Sequence, residues 1–168
     1  MRAGEPLRYA DEALRRILRQ TRTIAMIGAS PSWVRPSNFA MKYLQRKGYR
    51  VIPVNPGAAG QDILGERVYG SLAEVPGPVE MVDVFRASAA AGEAVDDAIA
   101  LKDKLGVAFV WLQLGVRNDA AAHRAEAAGI DIVMDRCVKI EYGRLFGELS
   151  WCGVNTRIIS SKRPKLHP

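Results

Sequence analysis

The sequence predicts an α/β fold, a mainly parallel, doubly wound sheet with helices on both faces. Three observations carry this. The apolar run from Thr23 to Ile27 ends in Gly28-Ala29-Ser30, and a second run, Arg50 to Val54, ends in Asn55-Pro56. A helical pattern from Pro36 to Lys47 lies between them, so the three segments make a βαβ unit. Further short apolar runs at Met81 to Phe85, Ala108 to Leu112 and Ile130 to Met134 alternate with helical patterns. Such alternation calls for parallel strands buried on both sides.

The elements follow in order. Tyr9 to Thr21 reads as an amphipathic helix with Ala10, Leu14, Ile17 and Leu18 on one face and arginines on the other. The helix from Pro36 is expected to bury Phe39, Ala40, Tyr43 and Leu44. Pro36 suits a first turn, where its missing N–H would have no partner, and Gly48 suits the C-terminal end. Beyond the turn-rich stretch 56–60, a short strand is expected at Arg67 to Tyr69. Ser71-Leu72-Ala73-Glu74 has capping-box spacing and predicts a helical turn. An Ala-rich helix should run from Ala90 to Leu105, broken by Gly106, with others at Asp119 to Ala128 and Val138 to Phe146. Residues 1–168 read as a single domain with its core at about 9–145. An extension follows at 146–161, with an extra strand or ordered stretch beyond Trp151, and then a disordered tail at 162–168.

A chain of 168 residues, 48% hydrophobic and 25% charged, can bury a core without disulfides or metal. It has no apolar run long enough for a membrane span, and its first residues lack the apolar core of a secretory signal. Cys137 and Cys152 form no metal or redox motif, and His123 and His167 no zinc site, so a reducing cytoplasm is the expected location. The net charge of +6 favours anionic ligands. The basic groups, Arg15, Arg16, Arg19 and Arg22 near the start and Lys162, Arg163 and Lys165 at the end, have no interleaved aromatics. Nucleic acid is therefore not an expected partner.

In open α/β sheets a ligand sits at the carboxyl ends of the strands, where the winding direction changes. That rule nominates Gly28-Ala29-Ser30, Asn55-Pro56, Phe85-Arg86, Gln113-Leu114-Gly115 and Asp135-Arg136-Cys137. The Pro36 helix should aim its N-terminal amides into the same crevice, a seat for a pyrophosphate. Gly28 would allow close approach, the Ser30 and Ser37 hydroxyls would donate, and Arg35 would add charge at the mouth. A lone glycine is weaker evidence than a full glycine-rich fingerprint, and both serines equally suit turn or helix capping. Where a dinucleotide fold carries an acid for the ribose hydroxyls, this chain has Asn55. Cys137 has two readings, a packing cysteine or a thiol activated by a neighbouring cation or helix terminus.

These segments, with Tyr49 to Pro56, Leu64-Gly65 and the whole stretch Val110-Trp111-Leu112-Gln113-Leu114-Gly115, occur in order from Thr23 to Leu145. The chain thereby resembles the small stand-alone CoA-binding proteins of bacteria and archaea, which are similar to the Rossmann-like CoA-binding domain of the succinyl-CoA synthetase α subunit. The resemblance implies that coenzyme A, or an acyl-CoA, lies across the strand ends. Gly28, Ala29 and Ser30 would face the pyrophosphate with Arg35 and Ser37 nearby. Val54, Asn55 and Pro56 would flank the adenosine, Phe85 and Arg86 the adenine or ribose phosphate, and Gln113, Leu114 and Gly115 the pantetheine. CoA carries a 3′-phosphate, which an acidic residue after the second strand would repel and Asn55 does not. The synthetase subunit owes its catalysis to a phosphorylated histidine in a second domain, for which this chain is too short. The expectation is a binding protein and not an enzyme. Two other readings are an NAD(P)-dependent oxidoreductase and a nucleotide-sensing interaction module that docks an acidic protein.

Overall fold

The computed structural model describes residues 7–147, and its centre is a five-stranded parallel sheet. The strands are β1 (Thr23–Ile27), β2 (Arg50–Val54), β5 (Met81–Val84), β6 (Phe109–Leu112) and β7 (Asp131–Val133), in the order β2-β1-β5-β6-β7. Two further strands, β3 (Asp62–Ile63) and β4 (Glu66–Arg67), form a small antiparallel pair on the way between β2 and β5. The chain winds outward from β1 to β2, then returns to place β5 on the other side of β1. Ile27 consequently lies in register with Val54 on one side and Val84 on the other. The loops after β1 and β5 part there, and a crevice opens between them.

Helices cover both faces because alternate strand residues point to opposite sides. On one face Met26, Met81 and Trp111 meet α1 (Asp11–Gln20), α2 (Pro36–Arg46) and α6 (Val138–Leu145), whose Leu14, Met41 and Val138 are fully buried. On the other, Ala25, Val82 and Val110 meet α3 (Ser88–Ala100) and α5 (Asp119–Ala127). Ala91, Ala94 and Ala98 of α3 and Ala121, Ala122 and Ala125 of α5 are buried in that layer, small enough to let the two helices pack together. Trp111 is buried completely and donates its indole N–H to the carbonyl of Arg136 at 2.7 Å, which ties the centre of the sheet to the start of α6.

Several expectations need correction. The Ala-rich helix does not continue to Leu105. It stops at Ala100, Leu101 leaves helical geometry, and a one-turn α4 (Lys102–Leu105) follows, closed by Gly106 at φ 81°. Of the expected 67–69 strand only Arg67 is in one, as the last residue of β4, and Tyr69 makes an isolated parallel bridge to Val54. The turn at Leu72–Glu74 is present, but the Glu74 carboxylate accepts the Ser71 hydroxyl and the Gly70 N–H, so Ser71 does not cap it in the expected sense. Ala10 is exposed and precedes α1. Phe39 does not join the buried stripe of α2: Ala40, Met41 and Leu44 fill it, and Phe39 turns outward, half exposed. The expected extension beyond Gly147 and the tail, with Trp151, Cys152 and His167, lie outside the described residues. Among the described residues no helix is long and apolar enough to cross a membrane.

Candidate functional site

β1 ends at Gly28, whose φ of 84° places it in the left-handed region that favours glycine. Its N–H donates to the Val54 carbonyl at 2.9 Å, and the neighbouring Phe85 N–H donates to the Ile27 carbonyl at 2.8 Å. A Cβ at position 28 would run into the carbonyl oxygen of Phe85. The residue type is therefore dictated by the contact between the ends of β1 and β5 as well as by the open space above. That space is a cleft of about 1020 Å³ bounded by the loops after β1, β5 and β6 and by the N-termini of α2 and α6.

Hydrogen bonds tie the α2 end to the loop after β1. Arg35, exposed and extended at φ −85°, is its N-cap, and its side chain makes no capping hydrogen bond. The Ser37 hydroxyl accepts the Ser30 N–H at 3.1 Å, the Ser30 hydroxyl accepts the Ser32 N–H at 3.2 Å, and the Asn38 amide donates to the Ser30 carbonyl at 3.0 Å. Each serine oxygen acts as an acceptor in these bonds, which leaves its own O–H to donate. The capping role and a ligand role are thus compatible. Arg35, Arg86 and Lys139 add positive charge to the cleft walls, and among the described lining residues none is acidic. A helix N-terminus with three cations and no carboxylate is a place for an anion.

Beneath the cleft the chemistry changes. Asp83 of β5 lies in register between Met26 and Trp111 and is fully buried. Its Oδ1 accepts the Gln113 amide at 2.6 Å, while Oδ2 has no hydrogen-bond partner among the described residues. Burial pushes its carboxyl up to about 7, against the opposing pull of the Gln113 hydrogen bond. Cys137, directly before α6, is half-buried on the cleft wall. Burial pushes its thiol up, more than the backbone N–H groups of Ile140 and Lys139 pull it down, so the protonated form prevails at neutral pH. Neither expectation for Cys137 describes it fully: it is not buried in the core, and its surroundings do not activate it.

The nominated residues divide into two groups. Gly28, Ser30, Arg35, Ser37, Phe85 and Arg86 line the cleft, as do Gln113 and Leu114. Ala29, Val54, Asn55, Pro56 and Gly115 stand at strand ends beside it. Asn55 donates its side-chain amide to the Ala29 carbonyl at 2.7 Å and accepts the Gly57 N–H at 3.0 Å, which clamps the ends of β1 and β2 together. Val54 is buried and Pro56 is exposed at the start of a short 3-10 turn. Gly115 donates to the Asp135 carboxylate at 2.7 Å, and the Arg136 guanidinium donates to the carbonyls of Leu7 and Asp135, so Asp135 and Arg136 brace loops. Gln113 lines the cleft although its amide turns inward to Asp83. Sequence reasoning missed Val34, Phe39, Val116, Lys139 and Ile140 as lining residues. The last two were within reach of the strand-end rule, since α6 follows β7 as α2 follows β1.

Residues 22–143 match the model of a family described as the CoA binding domain. The uncharacterized protein YneT of Bacillus subtilis (strain 168) is 30% identical over 129 residues, covering 77% of this chain and 91% of that protein. Two solved structures are similar along most of the fold. A hypothetical protein from Pyrococcus horikoshii OT3 is 38% identical with a TM-score of 0.77, covering 88% of this chain and all (100%) of that one. Cell-free ID.343 from Thermus thermophilus is 38% identical with a TM-score of 0.76, covering 82% of this chain and 100% of that one. The fold is thus the Rossmann-like α/β fold anticipated from the strand pattern, and the chain belongs to the CoA binding domain family.

Proposed function

We propose that the protein binds coenzyme A or its thioesters in this cleft and performs no catalysis on them itself. The observation that carries the reading is that Arg35, Arg86, Lys139 and the N-terminus of α2 line one cleft, which has no acidic lining residue among the described residues. The pyrophosphate would lie over Gly28 and Ser30, with donors from the Ser30 and Ser37 hydroxyls and charge from Arg35. Phe85 and Arg86 would meet the adenine and the ribose phosphate, and the loop from Gln113 to Gly115 the pantetheine. Ala29, Val54, Asn55 and Pro56 would set the adenosine end by fixing where β1 and β2 stop. Charge-assisted hydrogen bonds contribute about 1.5–3 kcal/mol each when well desolvated, so two or three suffice for useful affinity.

The absence of chemistry in this reading rests on the groups at hand. Among the described residues, the titratable side chains that line the cleft are Arg35, Arg86, Lys139 and Cys137, and burial raises the pKa of the thiol, which stays protonated. His123 stands exposed on α5 and is not among the lining residues. Calorimetric titration with CoA, dephospho-CoA and NAD tests the ligand. CoA should bind most tightly and dephospho-CoA more weakly, and a preference for NAD would refute the proposal. Incubation of acyl-CoA with the protein should release no free thiol above the rate in buffer.

A further inference from the structure

A second cavity, of about 390 Å³, opens at the far end of the sheet from the cleft. It lies where the ends of α1 and α2 run into the first residues of β1 and β2, whereas the cleft lies beyond the last residues of those strands. Arg19 and Arg22 come to it from the end of α1, Lys47 and Tyr49 from the end of α2, and Tyr142 and Phe146 from α6 and its C-cap. Among its described lining residues none is acidic. The arginines near the start of the chain have no aromatic residues interleaved with them in sequence. The fold supplies three, from two distant segments.

Cations collect at helix C-termini because the last carbonyls are negative, and this alone would account for Arg19 and Lys47. It accounts neither for the rings nor for the space. Tyr142 and Phe146 pack with ring centroids 4.6 Å apart, and Tyr49 meets Tyr142 edge-on at 6.0 Å. The Arg19 guanidinium stands 5.7 Å from the centre of the Phe146 ring, and the Lys47 ammonium 5.9 Å from that of Tyr142. Positive groups and aromatic rings thus line one small space. Tyr49 adds no negative charge: burial pushes its hydroxyl up to about 12, and it donates to the Leu18 carbonyl at 2.7 Å. The Glu80 carboxylate, close by, accepts the backbone N–H groups of Arg22 and Thr23. Neither Arg19 nor Arg22 forms an ion pair with a described residue, so both guanidiniums keep donors for a ligand.

We propose that this cavity is a second ligand site and that its ligand is a mononucleotide. The phosphate takes charge-assisted hydrogen bonds from Arg19 and Arg22, and the planar base packs among the aromatic rings and guanidinium planes. The cavity is less than half the size of the cleft, at about 390 Å³ against about 1020 Å³, which suits a single nucleotide unit without a long arm. The two sites share no lining residue, so this one stands apart from the CoA reading of the cleft.

Calorimetric titration of the full chain with AMP, GMP and UMP, with saturating CoA present to fill the cleft, tests this. Each nucleotide should saturate the protein below about 1 mM. Ribose 5-phosphate and inorganic phosphate, which lack the base, should bind at least about tenfold more weakly. Arg19 and Arg22 are exposed, so replacing them spares the core. The double variant Arg19→Gln, Arg22→Gln should weaken AMP at least about tenfold and leave the affinity for CoA within about twofold. In Phe146→Leu the preference for AMP over ribose 5-phosphate should shrink, with thermal unfolding as the check that the variant folds. No saturation by any nucleotide would overturn the proposal, as would AMP binding that the double variant leaves unchanged. Ribose 5-phosphate binding as tightly as AMP would overturn it too, because the cavity would then hold an anion only. So would a thymidine oligonucleotide that binds far more tightly than UMP, the mark of a nucleic-acid surface. If CoA fails to bind, the CoA reading falls by itself, and the double variant still decides whether AMP occupies this cavity.

Discussion

Gly28 joins two demands in one residue. Its positive φ lets the chain leave β1, and its missing side chain lets the Phe85 carbonyl pass. Gly28→Ala meets both obstacles and should destabilise the fold by about 2–4 kcal/mol, read as a fall in the urea midpoint at unchanged slope. A wild-type midpoint would show that the two loops can part. Asp83 makes a different demand. Its folded carboxyl titrates near 7, whereas an unfolded aspartate titrates near the ordinary value of 3.8. The folded state therefore holds a proton that the unfolded state has lost between these values, and stability falls as pH rises through that window. The full loss is of order 4 kcal/mol, complete just above pH 7. Asp83→Asn keeps an acceptor for Gln113 and should flatten the profile between pH 4 and 7, with greater stability at pH 8. A variant as pH-dependent as the wild type would place the slope elsewhere.

At the scale of elements, the site is a matter of where strands stop. Asn55 shows this: its side chain ties the end of β2 to the end of β1 and points no group into the cleft walls. Asn55→Asp replaces the donor to the Ala29 carbonyl with a repelling oxygen. It should weaken CoA binding about tenfold and cost about 1–3 kcal/mol of stability. Equal effects on CoA and NAD would point to geometry, and a selective loss of CoA to charge. The strand-end rule found β1, β5 and β6 because each apolar run closes on a recognisable turn. It did not separate residues that face the cleft from those that brace it, since Asn55 and Gly115 are engaged by Ala29 and Asp135 from distant segments. Phe39 was misread for a similar reason. Helical periodicity says that Phe39 and Ala40 are near one face, and only the position of the sheet decides which of them is covered.

For the whole molecule, the alternation of elements implied a mainly parallel sheet covered on both faces, but not the order of its strands: the chain crosses from β2 to β5 through two 3-10 turns and the β3-β4 pair, with no α-helix to signal that the winding reverses beside β1. That Val34, Leu114, Lys139 and Ile140 line one cleft was not legible, because they come from separate loops and helices that sequence spacing does not relate. The net charge of +6 adds a long-range component to the binding of so anionic a ligand. Raising the ionic strength from about 0.02 M to about 0.5 M should weaken CoA roughly tenfold, chiefly through the association rate. An affinity insensitive to salt would assign the binding to buried contacts alone.

The two tryptophans of the described region sit at opposite extremes, Trp111 sealed in the core and Trp33 almost bare, next in the chain to the cleft residue Val34. The molecule thus contains two optical reporters of separate events. Occupancy should shift and quench the red-edge emission of Trp33 while the blue-shifted signal of Trp111 holds until unfolding. With Trp151 replaced by Phe, a fluorimeter alone distinguishes a filled cleft from a failing core.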